Sequence, residues 1–320
     1  MSFNKIRGQA RAIGFLKTAI ENKRVGHAYI FFGPQGVGKR LAAVNFAKAL
    51  NCAAPKDGGP CDACNSCKKI DAMKHPDFIV LSPEKDSASI KIDAVRELAR
   101  DISLKPYEAQ KKVYIIDDAG LMKHEAQNAL LKTLEEPVTD SVLILVTSDI
   151  SRLFSTIRSR AQELRFFPLA ADEVKEVLVG DYGIEKTRAH ILAHISSGTL
   201  GGALAYNHEE LFEKRSRIID AIDKKTFFEW DFEGVSRTEL KMYLDIILTW
   251  YRDILVAKTG PGSGSGFVNI DKEDAIMRQA GEIECGRLDD IIKEVISTAS
   301  FLDQNANPKL AMSVLGLNIA

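Results

Sequence analysis

The stretch Ala28-Tyr-Ile-Phe-Phe-Gly-Pro-Gln-Gly-Val-Gly-Lys-Arg40 sets a short apolar run directly before a glycine-rich turn. Its second part, Gly33–Arg40, fits G-x-x-x-x-G-K but lacks the Ser or Thr that normally follows. Glycines at Gly33, Gly36 and Gly38 let backbone N–H groups turn inward around phosphate oxygens. Lys39 would reach the outer phosphates as a point charge, and a helix beginning near Lys39 would add its positive dipole end. A strand before the loop and a helix after it are the context such a motif needs. Arg40 is the departure. The hydroxyl expected there ligates the magnesium ion that bridges the phosphates, whereas a guanidinium cannot coordinate a cation and repels one. The loop is thus compatible with nucleotide binding and argues against productive Mg-ATP chemistry.

Beyond this loop, Phe78–Leu81, Val113–Ile116, Val142–Val146 and Glu163–Phe166 are further strand candidates, short and mostly β-branched or aromatic, as buried parallel strands tend to be. Helical patterns lie between them: Ile92, Val95, Leu98 and Ile102 share one face. Strand–helix alternation with right-handed crossovers predicts a doubly wound parallel sheet over residues 1–167. The segment Val113-Tyr-Ile-Ile-Asp-Asp-Ala-Gly120 reads as an apolar strand ending in acids. Asp117 sits where the magnesium-associated acid belongs, and Asp118 where a Glu that activates water is usual. Asp is one methylene shorter, and general-base catalysis is sensitive to reach.

After Pro168 the strand pattern stops. Residues 168–207 read as a small helical unit, with Asp172 expected to cap a helix starting near Glu173. Residues 208–320 read as long helices. Leu240, Tyr243, Leu244, Ile247, Leu248, Tyr251, Ile254 and Leu255 keep helical spacing over four turns, and Leu288, Ile291, Ile292 and Val295 begin another face. The glycine-rich stretch Gly260–Gly266 reads as a flexible loop. The fold class expected is therefore α/β plus all-α, in three parts: 1–167, 168–207 and 208–320.

The 320 residues carry a net charge of −1, so no basic excess advertises nucleic-acid binding, and any DNA contact must be local or shared with partners. The N-terminus lacks the apolar core of a signal peptide, and the longest aliphatic run, Val142–Val146, is far too short to span a bilayer. A soluble, cytoplasmic protein is expected.

Four of the five cysteines, Cys52, Cys61, Cys64 and Cys67, follow C-x8-C-x2-C-x2-C. In a cytoplasmic chain such a cluster reads as metal ligands before disulfides. Short gaps let thiolates converge, and four sulfurs satisfy tetrahedral zinc with no open position, which makes the role structural. An iron–sulfur cluster also uses C-x2-C-x2-C, but the following C-x3-C-P portion is missing. Cys285 has no ligand partner nearby in sequence and reads as a core or surface thiol.

A phosphate loop followed by a four-cysteine insert resembles the bacterial clamp-loader proteins of DNA polymerase III, the gamma/tau and delta prime subunits. Further segments carry the resemblance: His75-Pro-Asp77, Ile92-Asp-Ala-Val-Arg-Glu-Leu98, Asn128-Ala-Leu-Leu-Lys-Thr-Leu-Glu-Glu-Pro137, Ile157-Arg-Ser-Arg-Ala161 and Asn305-Ala-Asn-Pro-Lys-Leu310. Leu130, Leu131 and Leu134 form an apolar stripe whatever the function, Pro137 ends that helix, and His27 and His75 read as structural histidines before ligands.

The resemblance implies a RecA-like AAA+ module at 1–167 with a zinc module at 52–67, a helical lid at 168–207 and a helical collar for oligomerisation at 208–320. It implies that Arg160, in the segment usually written Ser-Arg-Cys, acts in trans as an arginine finger toward a neighbour's nucleotide. Here Ser159 and Arg160 are kept, Ala161 replaces the Cys, and Arg158 is a neighbouring alternative. The position of the family's lid arginine reads Gly202. With Arg40, Asp118 and Gly202 altered together and Arg160 kept, the pattern is similar to delta prime, the non-hydrolysing member. That membership implies partnership with gamma/tau and delta in a hetero-pentameric ring. The ring loads the sliding beta clamp onto primed DNA within the polymerase III holoenzyme. It also implies structural zinc, vestigial ATP binding and little role for magnesium. An active gamma-type ATPase is the alternative, and a stand-alone zinc-bearing nucleotide-binding regulator is a rival of another class.

Overall fold

The computed structural model describes residues 3, 6–83, 89–137, 140–260, 266–304 and 306–319. Residues 261–265 of the expected glycine-rich loop, and Asn305 of the C-terminal motif, lie outside them. The chain divides into two compact units, Met1–Leu169 and Ala170–Ala320.

The first unit follows the expected alternation: α1 (Ala10–Glu21), β1 (Ala28–Phe32), α2 (Lys39–Leu50), α3 (Asn65–Asp71), β2 (Phe78–Leu81), α4 (Ile92–Ile102), β3 (Lys112–Ile116), α5 (His124–Glu135), β4 (Ser141–Thr147), α6 (Ser155–Arg158) and β5 (Gln162–Arg165). The five strands form one parallel sheet in the order β2-β3-β4-β1-β5. Inserting β4 between β1 and β3 brings the C-terminal ends of all three together, where ligands of open α/β sheets bind. Side chains alternate across the sheet. Tyr29, Phe31, Val113, Ile115, Val142 and Ile144 pack with Leu16 and Phe46 on one face. Ile30, Tyr114, Ile116, Leu143 and Leu145 pack with Val95, Leu98, Leu130 and Leu134 on the other. The strand expected at Glu163–Phe166 sits one residue earlier. At this sheet edge only Leu164 of its four residues is buried, and charged side chains facing water suit an edge.

The second unit is helical: α7 (Ala171–Tyr182), α8 (Lys186–Ile195), α9 (Leu200–Ala205), α10 (Glu209–Asp223), α11 (Arg237–Thr259), α12 (Glu273–Glu282), α13 (Cys285–Asp303) and α14 (Pro308–Ile319). Helix α7 begins before the expected cap. Its N-cap is Ala170, and the Glu173 carboxylate reaches back to accept from the Ala170 N–H at 3.0 Å, so Asp172 lies inside the first turn rather than at the cap. Helix α11 is the spine, packing on α8, α10, α12 and α13. Its face at Leu240, Tyr243, Leu244, Ile247, Tyr251 and Ile254 is buried as the spacing predicts. Several buried polar groups of this unit are paired. Asp253, fully buried, accepts from the N–H groups of Val268 and Asn269, and Arg215 donates to Asn269 and Asp271. Among the described residues no helix is long and apolar enough to cross a membrane.

Candidate functional site

The phosphate loop emerges from β1 and opens α2, as its motif requires. Gly33, Gly36 and Gly38 have φ of 140°, 84° and 94°, a region closed to most side chains. At Gly33 the constraint is also steric, since a Cβ would lie 2.1 Å from the Phe166 carbonyl oxygen. Lys39 is 7% exposed, and its ammonium donates to the Gly33 and Pro34 carbonyls at 2.6 Å each, so the loop folds around its own lysine. Burial pulls the Lys39 ammonium below its ordinary range, against the opposing charges of Asp118 and Asp117.

Arg40 reaches across to β3. Its guanidinium lies 3.2 Å from the Asp117 carboxylate, the acid expected to attend magnesium. Burial, with Asp118 adding, pushes the Asp117 carboxyl above the usual carboxylate range, while Arg40 and Lys39 oppose that rise. Asp118 adopts left-handed backbone (φ 49°) and lines a cleft of about 190 Å³ with Gln35, Gly120, Leu121, Thr147, Ser148 and Arg152. Thr147, Ser148 and Arg152 went unread in the sequence. The signal available was positional: a polar pair ends the apolar run of β4, beside a strand that ends in acids.

Gly202 lies within α9. A Cβ there would sit 2.4 Å from the Thr199 hydroxyl, which is buried and donates to the Ser196 carbonyl. This helix therefore has no room for a side chain of any length at the position without moving Thr199.

The cysteines gather at the end of α2. Cys52 follows that helix, Cys61 and Cys64 lie on the loop after it, and Cys67 is in α3. Their sulfurs all lie within 4.8 Å of one another, and no other such cluster occurs among the described residues. Tetrahedral Zn–S bonds place sulfurs about 3.8 Å apart, so this donor set fits a closed four-thiolate site. The thiols are already unequal. Burial opposes ionisation of Cys64, yet N–H groups of Cys67 and Ala53 and neighbouring thiols bring it down to about 6, while burial pushes Cys67 up. The module is pinned to α2 by Lys48, fully buried, which pairs with Asp62 beside Cys61 and with Asp71 at 2.8 Å. Cys285 is exposed at the start of α13.

Arg160 follows α6 at the surface. Its guanidinium pairs with Glu135 of α5 at 3.1 Å and donates to the Thr156 carbonyl at 2.9 Å. Arg158 is engaged by Glu163 at 2.9 Å. Helix α5 also sets the approach to α6: buried Gln127 donates to the Arg152 carbonyl and accepts from the Phe154 N–H. The leucines of Asn128–Pro137 are packing residues, with Leu130 and Leu134 buried, while the polar edge of the same helix holds Arg160. His75 is structural as well. It is buried, and its Nδ1 accepts from the Asp77 N–H at 3.1 Å, while the Asp77 carboxylate accepts from the N–H groups of Tyr107, Glu108 and Ala109.

A family model described as DNA polymerase III, delta subunit, matches residues 8–170. The delta prime subunit of DNA polymerase III from Bacillus subtilis is 34% identical over 264 residues, 79% of this chain and 78% of that one. The chain belongs to the DNA polymerase III delta prime family. The delta prime subunit of Pseudomonas aeruginosa is 32% identical, over 71% of this chain and 70% of its own. The tau subunit of Bacillus subtilis is 30% identical over 88% of this chain but only 54% of its own length. The AAA+ module and the clamp-loader role implied by the motifs are consistent with this membership.

Proposed function

We propose that the chain is the delta prime member of a hetero-pentameric clamp-loader ring with gamma/tau and delta subunits. The ring opens the sliding beta clamp and places it on primed DNA in the cytoplasm. In this reading residues 1–167 are the AAA+ module, 168–207 the lid and 208–320 the collar. The observation that carries it is the contrast between two arginines. Arg40 pairs with Asp117 inside the chain's own nucleotide site, which disfavours self-catalysis, and Arg160 stands at the surface, where a neighbour's nucleotide can meet it. A guanidinium suits that task, being permanently charged and able to fork onto phosphate oxygens. The collar assignment is supported by apolar side chains left exposed on α13 and α14, among them Ile296, Phe301, Leu310 and Leu317. The cysteine module holds zinc for stability, and the phosphate loop is a retained, weak or vestigial nucleotide site.

The test is reconstitution with gamma/tau and delta, measuring DNA-stimulated ATPase with and without this chain. Stimulation that depends on its presence and on Arg160 supports the reading, and equal turnover without it removes it. An active gamma-type subunit predicts instead magnesium-dependent hydrolysis by the isolated chain, abolished by Lys39→Ala.

A further inference from the structure

The magnesium ion that a phosphate loop implies does not fit the residues present. Magnesium requires near-octahedral oxygen ligands at about 2.0–2.1 Å. Here the hydroxyl ligand is replaced by Arg40, and the guanidinium lies 3.2 Å from Asp117, where the ion's charge would be needed. A divalent cation would have to break that pair and then sit beside a permanent positive charge. The anion side of the site is nevertheless built. Gly33, Gly36 and Gly38 hold the positive φ that such a loop needs, α2 offers twelve residues of aligned dipole, and Lys39 is buried in the loop. A cleft opens beside Gln35 and Asp118.

We infer that this loop takes the polyphosphate chain of a nucleotide without a divalent cation, with Arg40 in the metal's electrostatic place. Arg40 neutralises Asp117, which would otherwise repel phosphate, and its five N–H donors leave some free for phosphate oxygens. Its side chain is 52% exposed, so a ligand arriving from solvent can meet it. Lys39 exchanges its two carbonyl partners for phosphate oxygens. Such binding rests on the loop being a retained phosphate site and is independent of what Arg160 does.

Calorimetric titration of the full chain with ADP and with pyrophosphate, in EDTA and in magnesium, tests this. Both ligands are expected to bind in EDTA, with affinity within about twofold of that in magnesium. Arg40→Ser is expected to weaken metal-free binding about tenfold or more and to make magnesium restorative. Arg40→Gln, checked by its melting curve, separates loss of charge from loss of fold and is expected to weaken binding likewise. Binding by the wild-type chain only in magnesium, no binding in EDTA at millimolar ligand, binding of ADP without pyrophosphate, or an Arg40→Ser affinity unchanged in EDTA would each overturn the proposal. The reconstituted ATPase assay reads Arg160 separately, so failure here leaves the clamp-loader reading standing.

Discussion

Two of the first unit's arginine–carboxylate pairs, Arg40–Asp117 at 3.2 Å and Arg160–Glu135 at 3.1 Å, are nearly equal in length but differ in how far their acids are buried. Asp117 is 16% exposed, and its charge is costly without a partner, so Arg40 is committed to it. Glu135 is 52% exposed and is solvated with or without Arg160. Exposed pairs contribute about 0–1 kcal/mol, so Arg160 can leave its partner for a phosphate at little cost. One arginine is held by the solvation needs of its partner, and the other is paired only at the surface.

The largest effect expected from breaking this contrast is on the surface arginine. Arg160→Ala should leave the melting curve of the isolated chain unchanged but lower turnover at the served site of the reconstituted loader by about 10³-fold or more. Arg160→Lys should recover little, since an ammonium lacks the planar fork. DNA-stimulated ATPase equal to wild type would remove Arg160 from the mechanism. A second variant sharpens the contrast from the other side. Cys61→Ser with Cys64→Ser should abolish bound zinc by metal analysis and lower the melting temperature, because closed zinc sites contribute folding energy. Since Lys48 ties the module to α2, hydrogen exchange should rise in α2, the helix that carries Arg40. It should stay unchanged in α5 and α6, which hold Arg160. Uniform exchange in all three helices would show that the two pairs share one support.

Asp77 calibrates what a buried acid is worth here. Burial raises its carboxyl pKa, but three backbone N–H donors outweigh that and hold it below the usual 3.8. A depressed folded pKa means stability present above the unfolded value and lost as pH falls through the folded one. Asp77→Asn should therefore cost about 1.5–3 kcal/mol in denaturant melts at pH 7, with the gap to wild type closing below about pH 4. A gap independent of pH would mean packing, not charge, is at stake. The smallest effect belongs to Glu135→Gln. Stability should change by less than about 1 kcal/mol, while loader turnover falls a few-fold because Arg160 loses its aim. A loss as large as that of Arg160→Ala would make Glu135 more than a positioning residue.

Much of this was legible in the chain before any coordinates. Apolar runs at Ala28–Phe32 and Val142–Val146 are strands because both faces of a parallel sheet are buried, and the glycines at 33, 36 and 38 announced their own backbone. The cysteine spacing fixed which thiols would meet. What could not be read were partnerships between distant residues. Nothing local says that Arg40 will lie on Asp117, that Glu135 will hold Arg160, or that Lys48 will vanish under the cysteine loop. Those contacts depend on which strand ends the topology brings together. The capping of α7 failed to be read for a smaller reason: the helix starts at Ala171, two residues earlier than expected, with Glu173 reaching back to the Ala170 N–H, so Asp172 falls inside its first turn.

Gly33 bears on how such sequences descend. Its missing side chain is demanded by the Phe166 carbonyl 2.1 Å from where a Cβ would be, a contact of architecture rather than of ligand binding. A lineage that abandons ATP hydrolysis is still not free to replace this glycine. The first letter of the phosphate-loop signature is thus demanded by packing, whatever the loop binds.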